Sequence, residues 1–312
     1  MTADHADRLV ALQHQALAQP RDAGLQLALG RTLQHLDRPL DALLAYERAT
    51  ALEPALGPAW TLRGHLLRQC GRLADASVCF QRALACGEDA ESLRYFLGAL
   101  GLGALPDAAP ASFVRALFDE YAERFDADLL GTLHYRGHAG VAAPLAALRP
   151  RGFGCALDIG CGSGLAAPLL RPLARRLVGV DLAPRMVDAA RATGLYDALH
   201  VGELVEHLNA SAERHDLVVA CDVFIYLGRL EPVFAAVARG LRPGGLFAFS
   251  VEAGAADAGV DLLPTLRYTH SEAYLRALSA AHAMRVLRCE RAPLREGHGA
   301  EIAGLYLHLE RD

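Results

Sequence analysis

Residues 157–170 read LDIGCGSGLAAPLL, a glycine-rich turn between a short apolar run and a helical stretch. Gly160, Gly162 and Gly164 let the chain turn sharply there and bring backbone amides, that of Cys161 among them, close to a ligand at a helix N-terminus. The stretch also contains Gly162-x-Gly164-x-x-Ala167, a passable dinucleotide fingerprint, so the loop alone leaves the ligand open. Carboxylates nearby narrow the choice. Asp158 stands two residues before the first glycine, where it suits a cationic amino group and would repel a pyrophosphate. Asp181 ends the next apolar run, LVGVD, placed to accept from both hydroxyls of a ribose. Further on, CDVFIYL carries Asp222 and Tyr226 at the end of a fourth run, where open α/β sheets bind ligands and where either side chain can orient or deprotonate an acceptor. The segment 253–270, AGAADAGVDLLPTLRYTH, reads as a covering loop ending in Tyr268 and His270. His270 is a catalytic candidate, although the capping neighbourhood of a helix starting at Ser271 explains it equally well.

Positioning these groups requires strands that alternate with helices. From residue 155 the chain runs CALDI, LAAPLLRPLA, LVGVD, PRMVDAARAT, ALHVGE, DLVVACD, LEPVFAAVARGL and GGLFAFSVE, the alternation of a parallel sheet flanked by helices. MRVLRCERAPL and EIAGLYLHLE, separated by a glycine-containing turn near REGHGA, read as a terminal antiparallel hairpin. Upstream, Ser112 is placed to cap a helix through FVRALFDEYAERFDADLL, with Phe118, Tyr121, Ala122 and Phe125 on one face. A second helix is expected near 138–149.

On these motifs, in this order, residues 154–252 resemble the core of the class I S-adenosylmethionine-dependent methyltransferases. The resemblance implies a seven-stranded sheet of order 3-2-1-4-5-7-6 with the seventh strand antiparallel, in agreement with the hairpin. It implies S-adenosylmethionine as cofactor, with S-adenosylhomocysteine as product. Asp158 and Gly160 would meet the methionine end and Asp181 the ribose, while Leu182 and Met186 would flank the adenine. Glu203 and Leu204 would lie where the adenine amino group meets an acidic side chain. Tyr121 would approach the sulfonium and Arg136 the donor's carboxylate. Methyl transfer mainly needs an aligned nucleophile and exclusion of water, so neither a metal nor a covalent intermediate is required.

The first third of the chain has its own period. One constant shift superposes Pro20 on Pro54, Gly30 on Gly64 and Gly98, Ala42 on Ala76, Tyr46 on Phe80, and Ala49 on Ala83. Small residues let paired helices approach, and the Ala/aromatic/Ala spacing draws one apolar stripe on the second helix of each pair. This pattern resembles tetratricopeptide repeats, with units near 23–56 and 57–90 and partial helices beside them, and implies a surface for a protein or peptide partner or a support for its neighbour. The glycine- and proline-containing stretch 98–112 separates a repeat domain, 1–105, from a methyltransferase domain, 112–312. The fold class expected is therefore α plus α/β: helical repeats followed by a Rossmann-like domain.

Composition excludes several alternatives. All 31 basic residues are arginine, which removes Schiff-base lysines and the phosphate-binding lysine of a Walker A loop. The net charge of −5 is spread evenly along the chain, with no basic half to follow a phosphate backbone, so no nucleic-acid partner is expected. Seven cysteines without a CxxC pair, and His134 and His138 separated by Gly137, give no metal-ligand spacing. No membrane segment or export signal is read, and the expectation is a cytoplasmic enzyme that methylates an unidentified small or carrier-bound acceptor. Two other classes stand beside it: a repeat adaptor that binds the donor without turnover, and a nicotinamide oxidoreductase, which Asp158 disfavours.

Overall fold

The computed structural model describes residues 2–256, 258–297 and 299–312, with side chains from residue 7 onward. Residues 257, in the 253–270 segment, and 298, in the hairpin turn, lie outside the described residues. Two compact units divide the chain: Met1–Leu105 with Pro264–Leu266, and Pro106–Leu263 with Arg267–Asp312.

The first unit is helical: α1 (Thr2–Ala18), α2 (Ala23–His35), α3 (Pro39–Leu52), α4 (Gly57–Gln69), α5 (Leu73–Ala85) and α6 (Ala90–Ala99). The shift seen in the sequence carries the start of α2, Ala23, onto that of α4, Gly57, and the start of α3, Pro39, onto that of α5, Leu73. One packing contact recurs at the same interval. A Cβ on Gly30 would lie 2.3 Å from the Tyr46 ring, and a Cβ on Gly64 would lie 2.6 Å from the Phe80 ring. Each glycine thus lets the following helix bury an aromatic against its partner, and Ala42, Ala49, Ala76 and Ala83 are fully buried beside those rings. Asp22 begins α2 by accepting from Leu25 N at 2.9 Å.

In the second unit, α7 (Ala111–Tyr121), α8 (Phe125–Ala127), α9 (Gly137–Ala142) and α10 (Leu145–Leu148) precede the sheet. Ser112 does not cap α7: the cap position is Pro110, without a side-chain bond. The expected single helix also breaks after Tyr121, resuming as α8 and a π turn over Asp128–Thr132. The break keeps the aromatics together, since Phe125 meets both Phe118 (5.8 Å) and Tyr121 (5.7 Å) edge to face. The helix expected over 138–149 is interrupted between α9 and α10, where Pro144 lacks the N–H to continue it.

The sheet comprises β1 (Phe153–Ile159), β2 (Ala174–Asp181), β3 (Ala198–Val201), β4 (His215–Ala220) and β5 (Leu241–Glu252), all parallel. Between them run α11 (Ala167–Leu170), α12 (Pro184–Ala192), α13 (Leu204–Ala210) and α14 (Glu231–Gly240). After β5, residues 253–270 are not simply a loop: β6 (Val260–Leu262) and β7 (Tyr268–His270) pair antiparallel around a turn in which Leu263 N donates to Arg267 O. Local pairing of two short runs across that turn satisfies backbone groups that a buried loop would leave bare. Next come α15 (Glu272–Ala281), β8 (Met284–Gly297) and β9 (Ala300–Arg311). Strand order is β3-β2-β1-β4-β5-β9-β8. With the small hairpin set aside, this is the order 3-2-1-4-5-7-6, and β9 runs antiparallel to β5. Its two faces bury separate apolar clusters, one around Val178, Phe224, Phe234 and Phe249, the other around Val141, Leu145, Leu177 and Leu246. No helix among the described residues is long and apolar enough to cross a membrane.

Candidate functional site

The glycine loop leaves β1 beside the end of β2. Gly160, Gly162 and Gly164 all have positive φ (68°, 54° and 89°), and a Cβ at Gly160 would lie 2.3 Å from Val223. Asp181 ties the loop to β2: its carboxylate accepts from Gly162 N at 2.8 Å and from Ala183 N at 2.9 Å. Burial pushes Asp181 up, against the lowering effect of those amides. Cys161 is buried, and its N–H, like that of Gly160, donates to Val180 O.

Asp158 is only 1% exposed and accepts from the Tyr196 hydroxyl at 2.7 Å. Burial raises its carboxyl to about 7; the Tyr196 bond lowers it, and nearby Asp181 raises it further. Nothing in the sequence singles out Tyr196. It lies in a turn before β3, where neither strand nor helix periodicity marks it, and it also packs close to where a Cβ on Gly164 would stand (3.2 Å).

The adenine-side candidates are placed unequally. Leu182 is half-buried at the end of β2, whereas Met186 (1% exposed) faces inward from α12 and Leu204 belongs to an apolar core cluster. Those two are packed as core side chains. Glu203 caps α13, accepting from Glu206 N at 2.8 Å, so one of its oxygens is already engaged. Arg136 is exposed just before α9, its backbone N–H bound to Leu294 O. Tyr121 is half-buried in the aromatic group with Phe118 and Phe125; burial and a bond to Asp128 raise its phenol to about 12.

At the ends of β4 and β5 the structure builds an ion network. Asp222 has positive φ (58°), tolerable for aspartate, and its N–H donates to Ser250 Oγ. Both its oxygens accept from Arg295 Nη1, at 2.9 and 3.0 Å, and Arg295 Nη2 donates to Glu252. The Arg295 side chain, from β8, is wholly buried. Burial raises Glu252, opposed by Arg295 and Arg267. Tyr226 packs edge to face on Phe118 at 5.5 Å, bonds Arg267, and is raised mainly by burial. Asp222 and Tyr226 are therefore together at the strand ends. As a free general base, however, Asp222 is corrected: its carboxylate is clamped.

His270 is corrected as a catalytic group. It is fully buried in β7, its Nε2 bonds Gly228 O at 3.1 Å, and its ring stacks on Tyr274. Burial lowers it to about 4, so it stays neutral and holds the Gly228 turn. Ser271, next to it, caps α15 through Tyr274 N.

Comparison with known proteins places this geometry. Residues 157–249 match the model of a methyltransferase domain family. Over 94 residues the chain is 34% identical to a ubiquinone biosynthesis O-methyltransferase of Methylobacterium sp. (strain 4-46), covering 29% of this chain and 38% of that protein. Over 135 residues it is 31% identical to the protein of the same description from Cereibacter sphaeroides, covering 42% and 48% respectively. The chain thus aligns with less than half the length of these relatives. Among solved structures, the 1,6-didemethyltoxoflavin-N1-methyltransferase of Burkholderia thailandensis, with S-adenosylhomocysteine bound, superposes with a TM-score of 0.51 at 21% identity, covering 67% of this chain and 93% of that one. The magnesium protoporphyrin IX methyltransferase of Synechocystis, with bound S-adenosylmethionine, gives 0.51 at 19%, covering 67% and 99%. Residues 157–249 thus match a methyltransferase-domain family, and the second unit shares the fold of these solved methyltransferases.

Proposed function

We propose that the protein transfers a methyl group from S-adenosylmethionine to an acceptor held at the ends of β4 and β5. The observation that carries this reading is the pair of carboxylates flanking the glycine loop, Asp158 buried and Asp181 half-buried. Asp181 already orders Gly162 and Ala183 and retains lone pairs for ribose hydroxyls, while Asp158 suits a cationic amino group and opposes a pyrophosphate. The donor supplies a methyl carbon activated by positive sulfur. The chain's contribution is to bind, align and dry the site. Phe118, Tyr121 and Tyr226 offer aromatic faces to a sulfonium, worth about 0.5–2 kcal/mol each when well placed.

With Asp222 and Glu252 both bound to Arg295 and His270 sealed away, these side chains supply no unpaired base. The reading this favours is an acceptor atom that arrives nucleophilic, Asp222 and Tyr226 orienting it. The O-methyltransferase relatives are consistent with an oxygen acceptor. The helical pairs repeating at a constant interval are read as a tetratricopeptide-type module that recruits a protein or carrier-bound substrate, in a cytoplasmic enzyme. Incubating the protein with methyl-labelled donor and fractionated cell extract tests the proposal. Label should enter one fraction, macromolecular or small-molecule, and should not do so with Asp181→Ala; no transfer to any fraction would favour a donor-binding adaptor.

A further inference from the structure

At the opposite end of the strands from the glycine loop, three side chains of different chemistry converge. Cys155 lies early in β1; His215 opens β4, the neighbour of β1 in the sheet, and Glu213 stands two residues before it. Cys155 Sγ is 3.4 Å from His215 Nδ1 and 3.5 Å from Glu213 Oε1, and the three ligand atoms all lie within 4.8 Å of one another. Cys155 and His215 are buried, whereas Glu213 is partly exposed and leaves a way in from solvent.

We infer that Cys155, Glu213 and His215 form a binding site for a divalent zinc-type cation. Tetrahedral zinc bonded to sulfur, imidazole nitrogen and carboxylate oxygen sets its ligand atoms about 3.6 Å apart, given bond lengths of about 2.3, 2.0–2.1 and 2.0–2.2 Å. The two separations at Cys155 are already close to that value. A mixed thiolate, imidazole and carboxylate set selects zinc over calcium or magnesium, which want oxygen alone. Coordination breaks the thiol S–H bond, releases that proton to solvent and forms the sulfur–metal bond, with no electron exchanged. Glu213 must also release Arg176, whose Nε lies 3.2 Å away on a half-exposed side chain free to swing out. Asp216 and Arg242, paired with each other at 2.9 Å beside the site, offset one another's charge. Three protein ligands leave the fourth position to water. The site is about 10 Å from Asp158 along β1, given the rise of about 3.3 Å per residue, so its role is to clip β1 to β4 rather than to join the methyl transfer.

The test uses the full chain stripped of metal with a chelator. Zinc titrated by calorimetry should bind one ion per chain and raise the melting temperature, and cobalt(II) should produce a thiolate-to-metal charge-transfer absorption. Cys155→Ala should abolish that absorption and weaken zinc by more than about a hundredfold, since loss of a mere outer-shell partner costs about 10–100-fold. Glu213→Gln, at the partly exposed position, should keep the native circular dichroism yet bind zinc at least about tenfold more weakly. Failure of the wild-type chain to take up zinc, or uptake unchanged in both variants, would overturn the inference.

Discussion

Replacing Asp158 by asparagine separates two consequences of one buried carboxylate. In the free protein its carboxyl is raised from an ordinary 3.8 to about 7, chiefly by burial. A raised carboxyl binds its proton more tightly folded than unfolded, so its contribution to stability is greatest below pH 4 and is lost as pH rises from about 4 to about 7. The loss accrues at about 1.4 kcal/mol per pH unit and tails off as pH nears 7, or about 2 kcal/mol between pH 5 and pH 7. For a domain of roughly 200 residues that corresponds to about 4–8 °C in melting temperature. The amide of the Asp158→Asn variant has no such proton to lose, so the difference between variant and wild type should move in the variant's favour by that amount over this range. The Tyr196 hydroxyl keeps an amide oxygen as partner, which preserves about 1 kcal/mol of the local bond. Melting curves of both proteins from pH 5 to pH 8, without donor, read the effect directly. With donor present the order should reverse at neutral pH, because the ionised carboxylate then meets a cation. Parallel pH dependences in the free proteins would refute the burial argument.

Asp181→Ala removes two charge-assisted backbone bonds and the carboxylate proposed to accept from the ribose; at about 1.5–3 kcal/mol per bond to a charged group, donor affinity measured by calorimetry should fall at least tenfold while circular dichroism stays native. Arg295→Met leaves Asp222 and Glu252 uncompensated in the interior, and urea melts should show a loss of about 3–5 kcal/mol, partly recovered when Asp222→Asn and Glu252→Gln are added. Gly64→Ala drives a Cβ to 2.6 Å from the Phe80 ring; thermal melts should record about 1–3 kcal/mol lost by the helical unit.

The fold is legible in the sequence where physical periodicity repeats. The alternating runs from CALDI onward disclose the parallel sheet, and MRVLRCERAPL with EIAGLYLHLE disclose the β8–β9 hairpin. The period of the helical unit is legible because Gly30 against Tyr46 and Gly64 against Phe80 repeat one contact. Asp158, one residue before the end of β1, and Asp181, the last residue of β2, stand out beside the glycine loop. What escapes depends on contacts between distant segments. Arg295 lies 73 residues from Asp222, in an edge hairpin where arginine usually points to water, and nothing local says that it turns inward. Cys155 and His215 are 60 residues apart and meet only because β1 and β4 are neighbours. The 253–270 segment reads as a loop because its strands are three residues long, too short for alternation to register.

The central claim is that the glycine loop, Asp158 and Asp181 make a site for a sulfonium donor rather than for a dinucleotide. Calorimetric titration of the wild-type chain with S-adenosylmethionine, S-adenosylhomocysteine and NAD decides it. The account predicts saturable one-to-one binding of both S-adenosyl compounds and none of NAD at the same concentration; tight NAD binding with no response to either S-adenosyl compound would contradict it.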